Sequence, residues 1–505
     1  MTAIFRRLAL ALLLSSAALG TAAGQTNLRV GLAEDPDVLD PSLARTYVGR
    51  IVFASICDKL FDIDEKLNVV PQLALSHETS ADGKTVTIKL RPGVKFHDGE
   101  AFDAAAAKYS LDRHLTLKAS VRKTDIGSVD SVAVVDPLTI ALHLKAPFSP
   151  LLAQLTDRAG MMVSPKAAEA AGDKFGLHPV CAGPYKFVER VQQDRIVVEK
   201  FADYWDKDHV FIDKITYLPI VDGSVRLASL QSGSLDLIER VLATDIKTVR
   251  DSPKLKLIKA VSLGYAGIMI NLDSGPKSDN PLGKDARVRR AFDLSLDREA
   301  INQVVFNGEF VPGNQWISPE NFYYQKAFPI PQRDVAKAKA LLKEAGVTAP
   351  LSLDFMVPNG PENRALAEVV QSMAAEAGFD LKIRVTEFAT SIKQAEDGAY
   401  QLYLFGWSGR SDPDGNAFIV QTCKAPLNYG HYCDPEVDAL HQEARRISDP
   451  AARKAVYEKI TAKVLPEGGF VYLYHPQVLI ARSDRLDGYT QMPDGLVRVV
   501  GLKLK

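Results

Sequence analysis

Between residues 86 and 111 a strand, two turns and the start of a helix follow one another, and that succession constrains the fold more than any other part of the chain. Val86-Thr87-Ile88-Lys89-Leu90 alternates apolar and polar side chains, the pattern of a strand with one buried face. Pro92-Gly93 and then Asp98-Gly99 each turn the chain. Asp103 carries a short oxygen-bearing side chain just ahead of an alanine-rich run, so it predicts a helix whose first free N–H groups it caps.

The N-terminus predicts a cleaved secretory leader over residues 1–24: Arg6 and Arg7, an apolar run over 8–19, then small residues to Gly24. That apolar run is too short to span a bilayer, and no later stretch approaches the roughly 20 apolar residues a membrane helix needs. The first cysteine is Cys57, so no thiol is placed to take a lipid at the cleavage region. Losing the two leader arginines moves the net charge from −1 to −3. A chain without a basic excess is a poor partner for nucleic acid, whose phosphates require one. What remains is long enough for two or three domains or one large bilobed body.

Four cysteines in an exported chain are expected to pair. Cys423 and Cys433 flank a turn-rich segment that a local bridge can close, a link worth about 2–3 kcal/mol. For Cys57 and Cys181 two readings stay open. They form a long-range bridge, or Cys57 is a buried free thiol in its apolar helical surroundings.

Further along, residues 28–33 read as a strand, and a turn-rich segment from Asp35 to Pro41 leads into a helix over about 48–60. Residues 264–272 are apolar and β-prone, and the Gly-, Pro-, Ser- and Asp-rich stretch 273–283 predicts a crossover between lobes. Val288, Ala291, Phe292 and Ser295 recur at helical spacing, and Asp297 caps a second helix. A helix over 334–345, a strand over 351–357, a helix over 362–377 closed by Gly378, and a strand over 381–385 set a βαβ rhythm. It predicts an α/β lobe whose strands end at a cleft, and the apolar run 470–480 returns the chain to the first lobe after about Ala481.

Signatures of catalysis are missing: no Gly-x-Ser-x-Gly elbow, phosphate loop, dinucleotide fingerprint, Cys-x-x-Cys or His-Glu-x-x-His occurs. No metal or cofactor is expected, and His97 beside Asp98 reads as a turn residue making a local hydrogen bond. The strongest binding candidate is the loop from Trp407 to Asn416, directly after a strand over 400–405. The carboxyl end of such a strand is where α/β proteins present ligand contacts, and Trp407 offers a broad apolar face between two glycines.

The stretch Leu90 to Ala104, the block Gly183-Pro184-Tyr185, the run Arg289 to Ile301 and the loop Gly406-Trp407-Ser408-Gly409 with Asp412-Pro413-Asp414 resemble, in order, the periplasmic solute-binding proteins of peptide-type ABC importers, extracellular solute-binding family 5. Members of that family bind dipeptides, oligopeptides, nickel complexes, glutathione or opines. The resemblance implies a two-lobed α/β fold of the enlarged peptide-binding type with two inter-lobe crossovers. It divides the chain into lobe I (25–268 and 481–505, with an extra subdomain around 70–170) and lobe II (269–480). It also implies ligand contacts from Arg45, Thr46 and Tyr47 at the edge of the first lobe, from Met161 and Met162 on another wall, from Asn271 near the crossover, and from Trp407, Ser408, Arg410 and Asp412.

Two departures bear on the ligand. Dipeptide-binding members carry an aspartate where this chain has Arg410, and an arginine after the strand that here runs into Val357-Pro358-Asn359-Gly360. Both dipeptide anchors look absent, and an arginine at position 410 favours a carboxylate, phosphate or sulfonate. The reading is therefore a monomeric periplasmic receptor without enzymatic activity, which closes on a peptide-like or anionic solute and hands it to inner-membrane ABC permease subunits. A dipeptide or glutathione receptor of the same family is the nearest alternative. A secreted hydrolase, or a receptor serving chemosensing or a chaperone role, is the reading from another class.

Overall fold

A computed structural model describes residues 25–319 and 321–505; the leader expected over 1–24 lies outside them. Strand Asn27–Leu32 is the middle of a seven-stranded sheet, pairing in parallel with Lys214–Pro219 on one side and Leu237–Ile238 on the other. Arg195–Lys200 and Tyr185–Val191 extend that sheet at one edge, Gln477–Ser483 and Leu255–Val261 at the other. Its apolar residues and those of helix Tyr47–Ile56 form one core, which the C-terminal residues Leu486, Val497 and Leu502 rejoin.

The span 70–170 holds a four-stranded antiparallel sheet of its own, with helix Ala104–Thr116 packed on it around Ile88, Leu111 and Leu142. Asp103 caps that helix by accepting the N–H of Ala106 at 2.9 Å, the role its position in sequence predicts. Cys57–Cys181 is a disulfide that ties helix Tyr47–Ile56 to the turn before Tyr185–Val191, which settles the open alternative in favour of the bridge. Cys423–Cys433 is bridged as well.

The second lobe is a six-stranded mixed sheet. Leu351–Pro358, helix Pro361–Ala377 and Phe379–Thr386 are a βαβ unit with parallel strands, and Gly378 ends the helix in the left-handed region at φ 101°. Leu402–Trp407 joins in parallel to Leu351–Pro358 and antiparallel to Tyr265–Ile270. Strand Phe470–His475 completes the centre.

The chain passes between the lobes twice, both times earlier than its composition suggests. Leu255–Val261 lies in the first sheet and Tyr265–Ile270 in the second, so the first passage is 262–264. The return is at Pro476, between Phe470–His475 and Gln477–Ser483. The turn-rich stretch 273–283 instead forms two short helices, Pro276–Ser278 and Pro281–Lys284, inside the second lobe. The two passages are fastened together. Ser262 N–H donates to the Pro476 carbonyl at 3.2 Å. His475, kept neutral because burial pulls it down to about 4, bonds through Nδ1 to the Gly264 carbonyl at 2.9 Å.

Candidate ligand-binding cleft

Between the lobes lies a cavity of about 290 Å³. The carboxyl ends of Leu402–Trp407 and Leu351–Pro358 and the start of helix Pro361–Ala377 reach it from the second lobe, as expected of parallel strands in an α/β sheet. From the first lobe it is reached by the start of helix Tyr47–Ile56 and the end of Leu237–Ile238.

The first-lobe wall is charged but paired. Thr46 caps helix Tyr47–Ile56 by accepting the Gly49 N–H at 3.3 Å and donates its own hydroxyl to Asp37 at 2.9 Å, so its side chain is committed to the fold. Asp37 also accepts the Arg45 N–H at 2.8 Å, and the Arg45 side chain crosses to Glu396 of the other lobe at 2.9 Å. Tyr47 donates to the Gly495 carbonyl at 2.6 Å. Arg240, at φ 50°, grips Glu34 through both terminal nitrogens (3.1 and 2.7 Å) and Glu239 through Nε at 2.7 Å. Its guanidinium also lies 5.5 Å from the centre of the Tyr47 ring.

The second-lobe wall is aromatic: Tyr265, Phe310, Phe388, Tyr403, Phe405 and Trp407 line it, joined by Tyr429 and Tyr474. Glu362, near the start of its helix, is the one charged side chain on this face among the described residues. Burial raises its carboxyl to about 7, against the pull of the Ala243 N–H and the guanidiniums of Arg240 and Arg226. The loop after Trp407 is held by Asn416, whose side-chain carbonyl accepts from Trp407 Nε1 at 3.1 Å and from the Arg410 N–H at 2.6 Å. Gly409 sits at φ 78°, where an added Cβ would lie 2.2 Å from the Leu263 carbonyl carbon, so glycine is required.

Of the residues singled out from sequence, Arg45, Thr46, Tyr47, Trp407 and Ser408 line the cavity. Arg410 does not: its guanidinium lies over the Trp407 ring at 4.5 Å, and Nε pairs with Asp157 of the first lobe at 2.7 Å. Burial lowers Arg410 to about 10, which the Asp157 carboxylate resists. Asp412 is also turned away, held by both terminal nitrogens of Arg453 at 2.6 and 2.7 Å. Asn271 is fully buried, its amide donating to the carbonyls of Ser274, Gly398 and Tyr400. Met161 packs in the first-lobe core and Met162 against the four-stranded sheet, so both fill space rather than face the cavity. His97 reaches Gly183, not a local partner, donating through Nε2 at 3.0 Å.

The lining residues missed by sequence reasoning are Glu34, Glu239, Arg240, Glu362 and Asp494 and the aromatic side chains apart from Tyr47 and Trp407. Of these only Glu362 carried a signal, since it follows a strand of the βαβ unit directly.

Among the described residues, no helix is long and apolar enough to cross a membrane, and no group of three or more His, Cys, Asp or Glu could hold a metal ion. Residues 68–427 match the model of the bacterial extracellular solute-binding proteins, family 5. The chain is 32% identical over 472 residues to the glutathione-binding protein GsiB of Pectobacterium atrosepticum, covering 91% of this chain and 90% of that one. It is 30% identical over 496 residues to GsiB of Salmonella paratyphi A, covering 95% of both. Among solved structures it resembles AgaA of A. tumefaciens in complex with agropinic acid (TM-score 0.85, 26% identity, 95% of this chain and 99% of that one). It also resembles the oligopeptide-binding protein AppA of Bacillus subtilis in complex with a nonapeptide (TM-score 0.86, 25% identity, 95% and 99%). The chain belongs to the family 5 solute-binding proteins of ABC importers, with their two-lobed fold.

Proposed function

We propose that the chain is exported to the periplasm by its leader, works there as a monomer, and captures a small peptide-like or anionic solute by closing its lobes, without chemical turnover. The closed form then docks on inner-membrane permease subunits. The observation that carries this reading is a cavity walled by both lobes, between which the described chain passes at 262–264 and 476. A solute touching both walls stabilises the closed arrangement by the difference between its contacts in the two states. We take the lobe boundaries at those two passages.

At about 290 Å³ the cavity is at the small end for ligand pockets, about 300–1,000 Å³, which favours a solute of di- or tripeptide size over a long peptide. Glutathione, bound by relatives that align along nearly the whole chain, is the first candidate. The lining includes no histidine, cysteine or lysine among the described residues, which speaks against the hydrolase reading. Native mass spectrometry of protein purified without refolding, followed by calorimetric titration with glutathione and short peptides, tests the proposal. A retained or titrated solute of this class, with ester and amide substrates left intact, is the expected result. Turnover of those substrates overturns it.

A further inference from the structure

Behind Ser408 four side chains from both lobes close a ring. Asp157 accepts from Arg50 Nε at 3.1 Å through one oxygen, and its other oxygen pairs with Arg410 Nε at 2.7 Å. Nη1 of Arg50 and Nη1 of Arg410 each donate to Ser408 Oγ at 3.3 Å. Arg50 and Asp157 belong to the first lobe, Ser408 and Arg410 to the second, so the ring exists only when the lobes meet.

A serine hydroxyl accepts two hydrogen bonds and donates one, whereas a guanidinium only donates. With both acceptor positions taken, the one capacity left to Ser408 is its O–H, and among the described residues no protein acceptor is bonded to it. Ser408 is half-buried and lines the cavity, which places that donor where a solute would sit. The surroundings fix the sign of the acceptor. Arg122 pairs with Asp125 at 2.7 Å and Arg158 lies 3.7 Å from Asp157, so four guanidiniums share two carboxylates in this buried region. Nε of Arg122 and Nε of Arg158 are buried without a hydrogen-bond partner, and Asp157 Oδ2 meets Arg410 as an ion pair without a hydrogen bond, so the guanidiniums remain in excess by two. Buried charge left without its counterpart is costly, and a negative group arriving at Ser408 offsets it.

We propose that Ser408 is the anion-reading residue of the cavity: its hydroxyl, polarised by Arg50 and Arg410 behind it, donates to a carboxylate or similar oxyanion of the solute. Arg410 acts through Ser408 and is a positioning residue. The inference rests on the solute-receptor reading and adds the chemistry of the group that is recognised.

The test is calorimetric titration of the full mature protein with L-alanyl-L-alanine, reduced glutathione and the C-terminal carboxamide of each. Wild type is expected to prefer the carboxylate forms by about tenfold or more, the strength of a charge-assisted bond over a neutral one. Ser408→Ala, checked for folding by its thermal midpoint in buffer alone, loses about tenfold for the carboxylates and less than about threefold for the carboxamides, while Ser408→Thr keeps the preference. Equal preference in wild type and Ser408→Ala overturns the inference. If no peptide probe binds wild type, the peptide-like reading falls by itself, and acetate against acetamide decides this one. Acetate must raise the wild-type midpoint more than acetamide does and lose that advantage in Ser408→Ala; equal shifts overturn the inference.

Discussion

The two walls of the cavity are built on opposite plans. On the first lobe the charged residues Glu34, Arg45, Glu239, Arg240 and Asp494 line it, and each is ion-paired to another protein side chain. On the second lobe, among the described residues, eight aromatic side chains face the same space with a single carboxyl, Glu362, among them. Pairs satisfied within the protein offer a solute a rigid, pre-oriented surface and little new attraction. Aromatic faces offer area that is realised only on contact, roughly 150–250 Å² for each such side chain when fully covered. Affinity should therefore reside on the second lobe and stability on the first, with specificity where they meet.

The largest effect is expected at that meeting point. Burial works to raise the Asp157 carboxyl, and Arg410, Arg50 and Arg158 overcome it and hold it well below the usual carboxylate range. Asp157→Ala leaves those guanidiniums without their shared partner, and urea denaturation should show a loss of about 3–5 kcal/mol. Next come two substitutions that set the walls against each other. Trp407→Ala should weaken solute binding by about 2–3 kcal/mol in calorimetric titration. Arg240→Ala should change affinity by less than about 1 kcal/mol while lowering stability by about 1–3 kcal/mol, because Glu239 is buried and loses its partner. The comparison breaks if Arg240→Ala proves the worse binder.

Glu362 supplies a pH-dependent case. Its folded carboxyl titrates at about 7, above the ordinary glutamate value, so ionising it costs the folded state free energy that grows as pH rises from about 4.5 and is complete above about 7. Because the side chain is half-buried, Glu362→Gln should gain about 1–2 kcal/mol at pH 8 and nothing at pH 4.5. Arg240, Arg226, Asp245 and Tyr474 face it and are unchanged in that comparison. Equal stabilisation at both pH values would show that packing, not charge, governs the site. Smallest is Thr46→Ala: loss of the cap should cost about 1 kcal/mol in thermal unfolding and leave affinity untouched.

Much of this architecture was legible in the residues. The caps at Asp103 and Asp297 both accept the N–H groups that helix chemistry assigns to them, because capping is decided within three residues. Trp407 was readable for a related reason: a strand's end plus two glycines marks it locally. Arg410 was not, since its direction is set by Asp157, on the other lobe and far away in sequence. Glu239 and Arg240 follow a strand of two residues, too short for any periodicity to register. Met161 and Met162 show the converse limit, because an apolar pair reads alike whether it fills a core or a pocket. The lobe crossings escaped because each is very short, Ser262-Leu263-Gly264 and the single residue Pro476, while the longer turn-rich stretch 273–283 folds back into short helices within one lobe.

Ser262 and Pro476 belong both to the passages between lobes and to the cavity lining. Whatever occupies the cavity therefore rests against the pivot itself. Near a fulcrum the lever arm is short, so a given swing of the lobes displaces contacts there least and those farther out most. On opening, contacts far from the pivot are therefore expected to part first, and a solute resting against Ser262 and Pro476 to keep its hold there longest.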